Sequence, residues 1–359
     1  MKRVLLRLVI TAVAGIAGYL LFWPVPIDPV AWNPPLAPEL TGVYAANNEL
    51  ADIQRLPVDG FQPEDVAIDS QGRIYTGVND GHIYRLQPDG VRPEVFSHTY
   101  GRPLGLKFDQ NGNLIVADAV KGLLSIAPDG SVTVLSNQAD GEYFKCTNDL
   151  DIAADGTIYF TDASRKYSLT ELKADLLEHR PNGRLLAYDP KTRQTRAVWR
   201  DLYFANGVAI SPDQSFVLVN ETGTYSIRRV WLTGEKRGQS DTFIDNLPGF
   251  PDGISSNGKG LFWVAIVNRR DAALDFLLRH PFLRKSVMRL PDFLQPAIKP
   301  YGFVLALDVN GKVVQNLQDP SPQGFASIAN VVEYNGNLYF GSIGASEKAI
   351  GRRPAPAPK

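Results

Sequence analysis

Val66-Ala-Ile-Asp-Ser-Gln-Gly72, followed at once by Arg73-Ile-Tyr-Thr, reads as a hairpin: alternating apolar residues, a polar turn with glycine, and a second alternating run. The pattern returns five times. It appears at Leu106–Gly112 with Asn113–Val116, Leu150–Gly156 with Thr157–Phe160, and Val208–Gln214 with Ser215–Leu218. The last two copies are Ile254–Gly260 with Leu261–Val264, and Asn330–Gly336 with Asn337–Phe340. Third strands follow several copies, at His82–Leu86, Gly122–Ile126, Gly183–Tyr188, Ser226–Trp231 and Gly302–Leu307. Weaker fourth strands are readable at Val132–Leu135 and Arg196–Trp199. Six units of three to four antiparallel strands predict an all-β chain folded as a six-bladed β-propeller. A pair of β-sandwiches would not require the same hairpin six times.

Composition agrees. The 359 residues include 37 basic and 38 acidic side chains, so a net charge near −1 argues against a nucleic-acid partner. Apolar residues make up 44%, enough for a large core, and 31 glycines with 26 prolines suit many turns and short elements. Cys146 is the only cysteine, which excludes an intrachain disulfide or a Cys-x-x-Cys motif; it reads as a small buried hydrophobe.

The N-terminus differs. Lys2, Arg3 and Arg7 lead an apolar stretch, and between Val4 and Trp23 only Arg7 is charged. That is about the length a helix needs to cross a bilayer. The basic residues on its near side place the bulk of the chain outside the cytoplasm, in a periplasmic, extracellular or lumenal space. A cleaved signal peptide giving a secreted form is the competing reading, although no clear small-x-small site follows. The chain then divides into an anchor or signal at 1–25, a Pro-rich linker at 26–46, the propeller at 47–350 and a Pro/Ala tail at 351–359.

Counting back eight residues from the turn position of each hairpin gives Glu64, Leu104, Asn148, Asn206, Asp252 and Ile328. The innermost strand of each blade lines the central channel of a propeller, so these positions converge on one end of it. Asn and Asp before a strand are often turn formers. Four oxygen-bearing residues in register, two followed by glycine (Gly207 and Gly253), point instead to a shared centre. Glu64, Asn148, Asn206 and Asp252 form a hard-oxygen set with two carboxylates, suited to Ca²⁺ and poor for zinc or copper.

Gly101–Asp109, Asn148–Ile152 with Tyr159–Asp162, Ala205–Ile210 and Leu247–Asp252 resemble the strictosidine-synthase-like proteins, within the wider gluconolactonase, regucalcin and paraoxonase group of six-bladed propellers. The resemblance spans about residues 60 to 345. It implies that Glu64, Asn148, Asn206 and Asp252 match the Glu, two Asn and Asp that hold a catalytic ion in the group's calcium-dependent hydrolases. True strictosidine synthases carry a catalytic Glu in the stretch matching Ser327–Val332. This chain reads Ser327-Ile-Ala-Asn-Val-Val there, with no acid before Glu333. Condensation of an amine with an aldehyde is therefore not expected.

The resemblance implies a calcium-dependent hydrolase acting on small-molecule lactones or activated esters, like a lactonase or arylesterase. Asp252 is the expected catalytic residue, as general base or nucleophile, and Asn148 and Asn206 are expected to orient substrate as well as metal. A non-catalytic, calcium-stabilised propeller scaffold on the membrane is the alternative. His82, His98, His179 and His280 lack metal-ligand spacing and read as solvated or packing residues; His179 or His280 reaches an ion only if an insertion folds over the channel. Asp118 and Asp162 end equivalent second strands, as turn caps or substrate-positioning groups. No Gly-x-Ser-x-Gly elbow is present, which argues against a serine esterase.

The intervals between equivalent positions are 40, 44, 58, 46 and 76 residues. The two long ones hold about 14 and about 32 residues beyond an ordinary blade of roughly 44. The extra material lies at 163–182 and 268–301. Both stretches follow a second strand, which returns to the end where the first began, so both are expected on the ligand face. Leu169, Leu172, Leu176 and Leu177 fall at helical spacing, and Leu274, Phe276, Leu277 and Leu278 less cleanly. Two helical insertions forming a lid over the mouth are the expectation, with a plain surface excursion or a membrane-contacting patch as the alternative for the second.

Overall fold

A computed structural model describes residues 2–297 and 299–357. Six four-stranded antiparallel sheets make up the body. In the first blade the strands are Ala67–Ile68, Ile74–Gly77, His82–Leu86 and Glu94–His98; the second runs from Pro103 to Ser136. The third spans Thr147–Leu202, the fourth Ala205–Ile244 and the fifth Gly249–Asp319, each with a small excursion or insertion between strands. A short extra hairpin, Gln138–Ala139 with Glu142–Tyr143, stands between the second and third blades.

The hairpin repeat has a physical cause. Asp69 Oδ1 accepts from the N–H groups of Gln71 and Arg73, and Asp109 Oδ1 does the same for Asn111 and Asn113. The carboxylate thereby stands in for backbone partners that the tight turn cannot supply. Gly72 and Gly112 sit in these turns at φ +79° and +81°, a backbone region costly for other residues.

The last blade is assembled from both ends of the chain. Ile328–Tyr334, Asn337–Ser342 and Ala349–Pro354 supply three strands, and Gln54–Pro57 pairs antiparallel with Ala349–Arg352 as the fourth. The ring is thus closed by ladder hydrogen bonds between strands almost 300 residues apart, which leaves no open edge at the seam. Gly351–Pro354, expected as tail, complete this sheet, while Pro358 and Lys359 lie outside the described residues. Apolar side chains pack between neighbouring blades: Phe216, Phe262 and Phe303 fill one such layer, and Trp263, Val331 and Phe340 the next.

Among the described residues, four α-helices stand outside the blades. The first, α1, is Lys2–Phe22, with a mean hydropathy of 2.2 over its most apolar window and no buried residue. The insertion in the third blade forms α2, Leu172–Glu178, and that in the fifth forms α3, Ala272–Leu278, and α4, Pro281–Met288. Asp271 caps α3 by accepting from the N–H groups of Ala273 and Leu274, and Pro281 starts α4 at a position where no N–H is needed.

The Pro-rich segment is not a free spacer. Ile27 is buried with Ala174 and Leu177 of α2, against Val287 and Met288 of α4. Arg284 holds this junction. Its buried guanidinium donates to the carbonyls of Leu177 (2.8 Å), Leu278 (3.3 Å) and Val30, the first two in the open C-terminal turns of α2 and α3. A cation there satisfies orphan carbonyls and complements two helix dipoles.

Candidate functional site

The innermost strands carry a shared irregularity at the channel mouth. Between the pairs Thr147–Asp162 and Leu150–Phe160, the inner strand has one residue more than its partner. The same surplus occurs between Ala205 and Val208, and between Pro251 and Ile254. A one-residue bulge bends the strand and re-aims a side chain. Here it falls at Asn148, Asn206 and Asp252. The glycines that follow two of them are forced by packing: a methyl group on Gly207 would sit 2.5 Å from the Ile254 nitrogen, and one on Gly253 would sit 2.6 Å from the Ala329 carbonyl.

Glu64, Asn148, Asn206 and Asp252 all line one small cavity, together with Asp65, Leu104, Asp149, Ala329 and Asn330. Its volume is about 10 Å³, room for one water molecule or one bare ion. The structure therefore brings together the four residues that spacing singled out. The sixth position needs correction. Ile328 is fully buried in the layer with Trp263 and Val331, and Ala329 occupies the place at the cavity. The last equivalent pairs are Ile68–Ile74 and Glu333–Leu338. Blade six then reverses through Tyr334–Asn337, one residue fewer than Asp69–Arg73, so a count from the turn glycine overshoots by one.

Electrostatics separate the two acids. Glu64 accepts a 2.7 Å charge-assisted bond from Arg102, whose other amino group, Nη1, has no hydrogen-bond partner among the described residues. Burial raises the Glu64 pKa, and the Arg102 charge works against that rise. Asp252 is pushed well above the usual carboxylate range, first by burial and then by the Glu64 charge; the Asn206 amide is the one neighbour that favours its ionised form. A buried acid pair around an ion-sized space is the environment in which a cation replaces missing solvation. The donor set fits Ca²⁺ in kind, with two carboxylates and two amide oxygens. Among the described residues no group of three or more His, Cys, Asp or Glu side chains is placed to hold a metal, at the mouth or elsewhere.

A second ring of acids escapes the spacing count. Asp65 accepts from the N–H groups of Val66 and of Leu106 in the next blade, at 2.6 and 2.7 Å. Asp149 bridges Leu150 and Val208, and Asp151 bridges Ile152 and Ile210, again from one blade to the next. Asn330 donates to Asp65 across the closing seam at 2.6 Å. Lys107 pairs with Asp151 at 3.1 Å. Burial raises Asp65 to about 7 and Asp149 well above the usual range. In sequence, an acid directly after Glu64 and after Asn148 was the available signal.

Asp118 and Asp162 act as caps: Asp118 Oδ1 accepts from Arg102, Val120 and Lys121 N–H groups, and Asp162 from Lys145 and Cys146 N–H groups and from Arg184. Glu333 serves structure, accepting from Asn257 and from the Trp263 indole. His82 and His98 stack on each other, with ring centroids 4.1 Å apart, beside Asp80. A wider cleft, about 1090 Å³, lies between the third and fourth blades and is lined by Asp155, Tyr159 and Arg237; it shares no residue with the mouth.

The insertion of the third blade does fold over the ligand face. Leu169, Leu172 and Leu176 pack on Leu104, Cys146 and Phe204, and Leu104 itself lines the cavity. His179, at the C-terminus of α2, is sandwiched between Trp32 and Tyr203 at 4.6 and 4.9 Å.

The family models for strictosidine synthase and for the N-terminal part of strictosidine synthase-like proteins match residues 148–235 and 42–86. Strictosidine synthase-like protein 7 of Arabidopsis thaliana is 38% identical over 291 residues, covering 79% of this chain and 77% of that one. This chain belongs to the strictosidine synthase-like family. Another relative at similar distance is the adipocyte plasma membrane-associated protein of Rattus norvegicus, 32% identical over 94% of this chain and 96% of its own. Among solved structures, a gluconolactonase from Xanthomonas campestris superposes with a TM-score of 0.63 at 18% identity, over 92% of this chain and 99% of its own. A calcium-binding regucalcin from Agrobacterium tumefaciens reaches 0.58 at 15% identity, covering 83% and 92%. At these identities the likeness shows the propeller fold. This strictosidine synthase-like chain has Ala329 and Asn330 at the cavity in blade six and no acid in Ser327–Val332, the stretch where the sequence resemblance places a synthase's catalytic Glu.

His179 yields a pH prediction for the lid. Burial, helped by the Arg284 charge, pushes its pKa from 6.5 down to about 3. A base depressed by folding is held neutral in the folded state, so its stability contribution is complete above about 6.5. It is lost as pH falls toward 3, with a slope of up to ~1.4 kcal/mol per pH unit. His179→Asn, which tolerates the left-handed backbone at this position (φ +54°), should flatten that part of the profile in thermal melts. An unchanged slope would show that other groups set the acid response.

Proposed function

We propose that the channel mouth hydrolyses lactones or activated esters with calcium held by Glu64, Asn148, Asn206 and Asp252. The observation that supports this most is that the half-buried Glu64 and the buried Asp252 line, with two amides, one space of about 10 Å³. When bound, calcium would polarise the substrate carbonyl and stabilise the oxyanion that develops on it. Asp252 takes the proton of a water attacking the carbonyl carbon, because a carboxylate that holds the ion lies beside the carbonyl the ion polarises. Asn148 and Asn206 orient the substrate and the ion. Arg102 keeps Glu64 in place and offsets part of its charge. The gluconolactonase and regucalcin likenesses are consistent with this reading of the fold.

The small volume of the mouth favours one rival: calcium as a lock on the blades of a non-catalytic scaffold. One experiment separates the two. The full chain in nanodiscs is titrated with calcium and then assayed on aliphatic lactones and aryl esters. Calcium at a hundred times its Kd should add about 2.7 kcal/mol of stability, and chelation should abolish hydrolysis. Calcium-dependent melting without turnover on the whole panel supports the scaffold. Hydrolysis that survives chelation sinks the calcium reading.

We read α1 as an uncleaved anchor that leaves the propeller outside the cytoplasm. Its length, its hydropathy and its lack of any buried residue support this, as does the asymmetric placing of Lys2, Arg3 and Arg7.

A further inference from the structure

The insertion of the fifth blade carries an apolar surface that the rest of the described chain leaves uncovered. Phe276 of α3, Phe282 and Leu283 of α4, and Phe293 and Leu294 just beyond it are all exposed, Phe282 by 53% and Phe293 by 84%. Isolated exposed apolar residues are ordinary; a group of this size on one insertion marks a contact surface.

Its position tells what covers it. Arg289, directly after α4, donates from Nε to the Trp23 carbonyl at 2.6 Å and from Nη1 to the Leu20 carbonyl at 2.8 Å. Those carbonyls belong to the open end of α1, so the guanidinium satisfies that end and fastens it to the insertion. Eight residues make α4 about 12 Å long. Phe282 lies in its first turn and Phe293 follows Arg289 by four residues, so both belong to the insertion that holds the end of α1. Arg284 and Arg289 are buried in the contacts just described, while Arg279, Lys285 and Lys299 reach the surface of the insertion, Lys299 beside Asp271, and Asp292 is the one acid between Leu278 and Tyr301. An apolar crown in a basic field beside a bilayer-length helix matches the chemistry of the headgroup boundary, where aromatic rings and cations meet anionic lipid.

We propose that α3, α4 and the turn Asp292–Leu294 form a second, monotopic membrane contact that seats in the leaflet from which α1 emerges. The propeller is then held by two points rather than one tether, and the face bearing Glu64, Asn148, Asn206 and Asp252 is turned toward the lipid surface. This rests on reading α1 as an anchor.

The test uses the full chain in nanodiscs containing anionic lipid. Single cysteines are introduced at Phe282 and Phe293, at Ala14 inside α1, and at Asn111 in an exposed hairpin turn of the opposite face. Each is labelled with a nitroxide; Cys146 is buried and stays unlabelled. Depth is read as the ratio of collisions with oxygen to collisions with a water-soluble nickel chelate. The proposal expects a ratio several-fold higher at 282 and 293 than at 111, with Ala14 highest. Aqueous values at 282 and 293 with an apolar value at Ala14 overturn the second contact and leave the anchor standing. Aqueous values at all three positions overturn both. Apolar values at 282 and 293 alone support the surface contact and remove the anchor.

Discussion

Asp252→Ala is expected to lower kcat/KM for any lactone or ester the chain hydrolyses by at least about 10²- to 10⁴-fold, the scale of losing a general base, with loss of the oxyanion-stabilising ion adding to it. The substitution removes one of the two carboxylates in the candidate ligand set and leaves Glu64 paired with Arg102. Calcium-dependent stabilisation should vanish with it. Asp252→Asn separates the two roles: it retains an oxygen donor of the same size but accepts no proton, so calcium binding should weaken while turnover falls nearly as far as in the alanine variant. Isothermal titration and initial rates on the same preparations make the comparison. Full turnover by Asp252→Asn would falsify its assignment as base or nucleophile. Glu64→Gln should cost calcium affinity more than it costs the chemical step at saturating calcium, since Arg102 rather than substrate is its observed partner.

Most of the candidate site's layout was legible because a propeller converts a sequence interval into a common place in space. Glu64, Asn148, Asn206 and Asp252 could be found by counting from the turn, since five hairpins keep the same distance from turn to cavity-lining residue. Ile328 shows where that logic stops: a turn shorter by one residue moves a neighbour, Ala329, into the position, and periodicity carries no signal for turn length. The closing strand Gln54–Pro57 was invisible for a different reason. It pairs with Ala349–Arg352 rather than with a sequence neighbour, so no local hairpin signal exists. Residues 26–46 looked like a spacer from proline content alone. Their fate was decided by Arg284, a buried cation whose carbonyl partners come from α2, α3 and Val30 and whose role no local pattern could reveal. The acids of the inner ring were hidden by ordinary appearance: a polar residue alternating with apolar ones normally faces water, and only closure of the ring turns that face into a channel.

Asp151 is the clearest instance, and Asp151→Ala should lower the stability of the protein by about 2–5 kcal/mol without touching the mouth. Its carboxylate accepts from the Ile152 and Ile210 N–H groups, both at 2.9 Å, and so ties the third blade to the fourth. Neither N–H finds another acceptor when the side chain is truncated, and each buried orphan costs about 1–3 kcal/mol. Lys107 loses its partner as well; the Asp151 charge is the main cause of its raised pKa. Asp151 is absent from the cavity that holds the four candidate ligands, so calcium affinity and kcat measured well below the melting temperature should stay near wild type. Lys107→Met tests the same junction from the other side and should be milder, because it leaves both backbone bonds intact. If Asp151→Ala melts like wild type, the bridges between blades contribute little and the apolar layers alone hold the ring. If it unfolds early and also loses calcium at low temperature, the blades carry the geometry of the mouth through this bridge.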